Sequence, residues 1–182
     1  MQLDTMLTLE EYSRLSRQEG HRLELSRGLL VRQPHPSSLH ATVTARIYDV
    51  LRDYAARTGG RAVFGAAFVL QEEPPTIRGP DVALIAAPQS AERASGRVLR
   101  GAPLLAVEVA GTLADGARAE LLEKVFEYLD AGAAGVWVVN LGSHSVAAFE
   151  SGSAPRIYRH TDTIDGVRAL PGFHCPVAML FG

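Results

Sequence analysis

Residues 103–109 read Pro-Leu-Leu-Ala-Val-Glu-Val, a nearly unbroken apolar run of strand length. A strand with one wet face alternates apolar and polar residues, because successive side chains point to opposite sides. A run without alternation predicts a strand buried on both faces, which needs cover above and below. Residues 135–140, Gly-Val-Trp-Val-Val-Asn, are a second run of this kind. Two such strands predict a sheet sandwiched between layers, so the chain must also supply helices.

The helices are legible. Thr8 followed by Glu10 and Glu11 gives an N-cap and an acidic first turn for a helix over 8–17. Ser37 and Ser38 can cap a longer helix over 38–58, which Gly59-Gly60 stops. A third helix is expected over 113–131, ended by Gly132. The stretches 22–24 and 29–32 flank Ser26-Arg27-Gly28 and read as a hairpin. Residues 61–71 read as one strand, 72–79 with Pro74-Pro75 as a turn, and 81–86 as a short strand. Residues 88–101, rich in arginine, read as an exposed loop. Short strands are expected at 146–149, 156–158 and 167–170. This order predicts an α/β (mixed α+β) domain with one central mixed sheet flanked by helices. At 182 residues a single domain over 1–182 is the natural reading, and it can bury about 70% of its unfolded surface without staples.

Composition narrows the function classes. The formal net charge is −2, against a dedicated nucleic-acid binder, which is usually strongly basic, but compatible with an enzyme that touches nucleic acid through a local patch. Cys175 is the only cysteine, so no disulfide forms within the chain and a cytoplasmic home is expected. The N-terminus shows no signal core, and no apolar run approaches the roughly 20 residues of a membrane helix. Of the 18 basic residues, Lys124 is the only lysine. At a solvated surface the two types interchange easily, so a lone lysine among arginines draws attention to its position.

Two acids interrupt the apolar strands. Asp81 follows Pro80 at a strand start, and Glu108 sits inside the 103–109 run. A buried carboxylate is costly unless it is paired or metal-bound. Neighbouring strand ends can bring two such acids together, and paired hard oxygens suit Mg²⁺ or Mn²⁺. Asp81 also reads as a turn residue after proline, and Glu108 as a strand-end acid bridged to an arginine. On the third helix Leu121, Val125, Tyr128 and Leu129 form the apolar arc, and Lys124 lies beside it, able to lean toward Glu108 or to pair with Glu120 one turn away. His35, His40, His144, His160 and His174-Cys175 lack zinc-site spacing.

The order of these segments resembles the Uma2 family of restriction-endonuclease-like proteins (DUF820), within the PD-(D/E)xK nuclease superfamily. The resemblance rests on Leu7-Thr-Leu-Glu-Glu-Tyr, His21-Arg-Leu-Glu-Leu, Pro36-Ser-Ser-Leu-His40, Gly79-Pro-Asp-Val-Ala-Leu-Ile, Gly101-Ala-Pro-Leu-Leu-Ala-Val-Glu-Val, Glu123-Lys-Val-Phe-Glu-Tyr, Gly135-Val-Trp-Val-Val-Asn and Leu170-Pro-Gly-Phe. It implies a restriction-endonuclease-like fold and a metal-dependent endonuclease acting on nucleic acid, with DNA the expected substrate. Asp81 and Glu108, with the Val109 carbonyl, would hold Mg²⁺ or Mn²⁺. The superfamily's usual lysine position is Ala110 here, and Lys124 matches the migrated lysine of the Uma2 pattern. Glu24 matches an acid of the hairpin that would contact metal or water, and Tyr128 a tyrosine one turn after the lysine. Gly111-Thr-Leu-Ala-Asp, Arg27-Gly28 and Asn140 depart from the family's usual Ser-Pro-Ser turn, acid-Gly pair and Asp. Arg93, Arg97, Arg100 and Arg118 are candidates for backbone contacts, and a homodimer is expected. The rival readings are an inactive nuclease-fold homodimer that serves as a binding module, and a two-carboxylate glycosidase.

Overall fold

The computed structural model describes residues 6–18, 23–33, 35–86, 98–111 and 115–182. The chain opens with helix α1 (Leu9–Gln18). Its start is a capping box: the Glu11 carboxylate accepts the Thr8 amide at 2.8 Å, and the Glu11 amide returns a bond to the Thr8 hydroxyl. Strands β1 (Leu23–Ser26) and β2 (Leu29–Arg32) form the expected hairpin. The two turn residues, Arg27 and Gly28, both take positive φ, the left-handed twist that a two-residue hairpin requires. Helix α2 (Ser38–Thr58) has the expected limits: Ser37 caps the His40 amide, and Gly59 closes the helix at φ 78°.

Residues 61–71 are two strands rather than one. Strand β3 (Arg61–Phe64) and strand β4 (Ala67–Glu72) belong to different sheets, and Gly65, at φ 66°, makes the break. The expected turn over 72–79 is shorter than predicted, because Pro75–Arg78 is strand β5, paired antiparallel to β4 and to β1. A proline at the first residue of a strand costs no ladder bond, so Pro75 did not forbid it. Strand β6 (Val82–Ile85) follows. The expected loop over 88–101 falls mostly on 87–97, outside the described residues, and Val98–Arg100 is strand β7.

Strand β8 (Leu105–Ala110) is the apolar run, with Leu105 to Val109 all buried. Helix α3 (Asp115–Asp130) and strand β9 (Gly135–Asn140) come next, then β10 (Ser145–Phe149) and β11 (Arg156–Tyr158). Residues 167–170 form a turn, not a strand, and the nearby ladder is instead β12 (Thr163–Ile164) with β13 (Cys175–Pro176). Helix α4 (Ala178–Phe181) ends the chain. No described helix is long and apolar enough to cross a membrane.

In place of the expected single sheet the described residues form three, the smallest being the β12–β13 pair. A six-stranded mixed sheet runs β11-β10-β9-β8-β6-β3, with β8 and β9 parallel, and a five-stranded sheet runs β2-β1-β5-β4-β7. Along β8, Leu105, Val107 and Val109 join the cluster formed with Val43, Ile47 and Leu51 of α2. Ala106 points the other way, to Val125 and Tyr128 of α3. The five-stranded sheet leans on that same side through Phe68 and Leu99, which meet Ala83 and Ile85. Tyr12 of α1 covers its outer face and bonds the Leu23 carbonyl at 2.8 Å. Strand β8 is thus covered on both sides, as its lack of alternation requires.

Candidate active site

Antiparallel pairing aligns Val82 of β6 with Val107 of β8, which sets Asp81, just before β6, beside Glu108. The Asp81 amide bonds the Val107 carbonyl at 2.9 Å, and its carboxylate Oδ2 accepts the Val109 amide at 2.7 Å. In an extended strand the N–H and C=O of one residue leave on the same edge. The Val109 carbonyl therefore lies on the edge that carries Asp81. His40 Nε2 reaches the same Oδ2 at 3.2 Å.

Glu108 projects to the α3 side. Lys124 Nζ donates to its Oε2 at 2.7 Å, and the Tyr128 hydroxyl to its Oε1 at 3.0 Å. Lys124 and Tyr128 are one turn apart on α3, so one helix face grips both oxygens. Lys124 also lies 3.2 Å from Glu24 Oε1. It is buried at 7% exposure, and its partners are Glu108 and Glu24 rather than Glu120. Glu24, on β1, takes further bonds from the Gly79 amide at 3.0 Å, Arg78 Nη1 at 3.1 Å and Gln33 Nε2 at 3.0 Å. Arg78 in turn holds Glu127 at 2.5 Å.

Burial pushes the Glu108 carboxyl up to about 7; the Glu24 and Asp81 carboxylates add to this and the Lys124 ammonium opposes it. Burial acts to raise Glu24 too, but Lys124, Arg78 and the Gly79 amide outweigh it and hold its pKa below the ordinary value. Burial alone would lower the Lys124 ammonium, yet Glu108 and Glu24 carry it above its ordinary range. Burial, then the Glu108 charge, sends the Tyr128 phenol well up, so it stays a donor.

A cleft of about 260 Å³ opens onto these groups. Asp81, Glu108, Val109 and Lys124 line it together with Gln33, His35, Ser37 and His40. Among the described residues no three His, Cys, Asp or Glu side chains converge as a ready-made metal cage. A Mg²⁺ ion does not need one, since it keeps several waters and takes one or two carboxylates plus substrate oxygens. The charge balance also fits a cation: Glu24, Asp81, Glu108 and Glu127 set four carboxylates against Arg78 and Lys124, leaving two negative charges when Glu108 is ionised and His40 is neutral.

Asp81, Glu108, Lys124, Glu24, Val109 and Tyr128 are thus brought together. Arg93 and Arg97 lie outside the described residues. Arg100 is exposed and pairs with Glu72 on the five-stranded sheet, and Arg118 is exposed on α3. Sequence reasoning missed His40, Gln33, Arg78 and Glu127. His40 left a signal, since it begins the stripe His40, Val43, Ile47, Leu51 that faces the core of α2. Arg78 left none while 72–79 read as a turn. Asn140, at the end of β9, caps the next turn by accepting the Gly142 and Ser143 amides.

No curated protein matches the sequence. The crystal structure of a "putative nuclease belonging to DUF820" from Anabaena variabilis superposes with a TM-score of 0.81 over 96% of this chain and 97% of that one, at 14% identity, a likeness of fold. The sequence profile of the Uma2 family, described as "putative restriction endonuclease", matches residues 9–178, and the chain belongs to that family.

Proposed function

We propose that the chain is a metal-dependent endonuclease that hydrolyses phosphodiester bonds of nucleic acid, with DNA as its substrate. The observation that carries this reading is that Asp81, Glu108 and a buried lysine line a single cleft. Asp81, Glu108 and the Val109 carbonyl are the hard oxygen donors that would hold Mg²⁺ or Mn²⁺. Such an ion, when bound, polarises a phosphate oxygen and makes a bound water more acidic.

The chain's own side chains do the rest. His40 and the Val109 amide fix Asp81 through one oxygen, and Tyr128 and Lys124 fix Glu108 through both. An ammonium has three donors. Lys124 gives two to Glu108 and Glu24, and the third can meet the attacking water or a phosphate oxygen where charge grows in the transition state. Gln33, His35 and Ser37, which also line the cleft, offer polar contacts to the nucleic-acid backbone. Two copies would cut the two strands of a duplex, since two-fold symmetry suits that substrate. A reducing cytoplasm suits a chain whose single cysteine is buried.

The test is nicking of supercoiled plasmid with Mg²⁺, with Mn²⁺ and with EDTA. Wild-type protein is expected to nick with either ion and to stop in EDTA. Lys124→Arg keeps the charge but replaces a compact head with a broad fork, and it should lower the rate by about 10²-fold or more, the scale of one lost transition-state contact. No cleavage of DNA or RNA with either ion would leave the non-enzymatic binding module as the better reading.

A further inference from the structure

We propose that Glu24 is a positioning residue that sets Lys124 through a saturated hydrogen-bond clamp, and not a third carboxylate of the cation site. This rests on the proposed nuclease reading and deepens it. A carboxylate has about four lone-pair positions. All four of Glu24's are taken: Oε1 by the Gly79 amide at 3.0 Å and Lys124 at 3.2 Å, Oε2 by Arg78 at 3.1 Å and Gln33 at 3.0 Å. The side chain is 1% exposed. A cation could bind it only by displacing a donor that then stays buried and unpaired, which is costly.

Asp81 and Glu108 differ in this respect. Both line the cleft, whereas Glu24 does not. Glu108 accepts one bond on each oxygen, so lone pairs remain there for a further ligand. Glu24 sits behind Lys124, and Arg78 sits behind Glu24, tied by its other nitrogen to Glu127 on the helix that carries Lys124. The Ser26 hydroxyl also bonds Glu127, at 3.1 Å. The hairpin and β5 therefore lock the angle of α3 and, through it, the reach of the ammonium toward Glu108. Gln33 joins the clamp to the cleft wall, since it both bonds Glu24 and lines the cavity.

Because Lys124 is the only lysine in the sequence, lysine labelled with ¹⁵N gives one side-chain ammonium resonance, a direct report on this contact. Wild-type protein should show a single resolved ammonium peak. Glu24→Gln turns an acceptor oxygen into a donor nitrogen facing donors, and it should shift or erase that peak while Mn²⁺ binding, followed by calorimetry, survives. Asp81→Asn should do the reverse, losing Mn²⁺ and keeping the peak. Where plasmid nicking is measurable, Glu24→Gln should lower kcat by about 10- to 100-fold, the usual cost of losing a supporting contact, with KM unchanged. If Glu24→Gln does not fold, Gln33→Leu, at the clamp's half-buried edge, carries the same test and should also move the peak. An ammonium peak unmoved by the variant, or Mn²⁺ binding lost in Glu24→Gln as fully as in Asp81→Asn, overturns the proposal. If wild-type protein neither binds Mn²⁺ nor cuts nucleic acid, the nuclease reading fails, and the ammonium peak alone decides the clamp.

Discussion

The two faces of the six-stranded sheet are built on opposite principles. On the α2 face, 25 of the described buried apolar residues, from Val43 to Leu180, form one cluster. On the α3 face, among the described residues, the apolar packing is divided between two smaller clusters of six and four buried residues, and Glu24, Arg78, Glu108 and Lys124 are buried beside them. Burial of the first face is favourable residue by residue. The second must recover the cost of desolvated charge through partners, and it does so with a network in which one helix, one hairpin and two strands each contribute. Apolar burial is concentrated on one side and buried charge on the other, and the shared strands β6 and β8 couple them: Val82 and Val107 anchor in the apolar cluster while Asp81 and Glu108 line the cleft.

The sharpest way to break this contrast is to delete the cation that holds the charged face together. Lys124→Met leaves Glu108 and Glu24 facing each other in a buried space. Removing one partner of a buried pair costs about 3–5 kcal/mol, and cleavage should vanish with it. A melting temperature equal to wild type would mean that the lysine contributes no more than a surface pair. On the apolar face, Leu51→Ala in the middle of α2 removes a fully buried side chain and should cost about 2–5 kcal/mol. Here the folded fraction should retain wild-type nicking per molecule, since nothing in the cleft has changed. A variant that stays folded at the assay temperature but no longer cuts would show that the two faces are not separable.

A third, smaller effect sharpens the comparison through pH. Glu108 must lose its proton to hold a cation, and its carboxyl sits at about 7. Below that value each pH unit should weaken Mg²⁺ binding by about tenfold, as protons compete for the ligand. Between pH 7 and 8 the affinity should level off. Calorimetry in buffers of different ionisation enthalpy would show proton release near one per ion at pH 6 and little at pH 8. Affinity flat from pH 5.5 to 8 would remove Glu108 from the cation site.

The apolar face was legible in the sequence and the charged face only in part, for a physical reason. Period and continuity report burial against apolar neighbours, so α2, β8 and β9 were read within a residue or two of their limits. Asp81 and Glu108 stood out because each breaks such a pattern, and Lys124 because it is alone among arginines. Glu24 and Tyr128 entered through family resemblance. Arg78 sits on a strand that two prolines disguised as a turn, and its burial comes from two distant acids, Glu24 and Glu127, which no local window contains. The split of residues 61–71 between two sheets hung on Gly65, whose positive φ redirects the chain although the residues around it keep their strand character. The partition into separate sheets was likewise invisible, because pairing partners are set by tertiary packing and not by period.

The smallest expected effect concerns the balance between Glu108 and Glu24, whose titrations run in opposite directions. Glu108 is raised from 4.5 to about 7, so its contribution to stability is fully present below 4.5 and is lost as pH rises through 7. Glu24 is lowered, so its contribution is present above 4.5 and is lost as pH falls through its folded value. At pH 8 without metal, the apoprotein therefore carries Glu108 as a desolvated charge that the fold only partly compensates. Glu108→Gln removes that charge, leaves Lys124 paired with Glu24, and keeps an oxygen for one of the two donors. The variant should melt about 2–4 °C higher than wild type at pH 8, the shift that about 1 kcal/mol produces in a domain of this size. Toward pH 4.5 and below, Glu108 is protonated in the folded and unfolded chain alike, and the advantage should shrink toward zero. Saturating Mg²⁺ should reverse the order at pH 8, because the ion stabilises only the protein that binds it. An advantage that is the same at both pH values would assign it to packing rather than charge, and the charged face would then be no more strained than the apolar one.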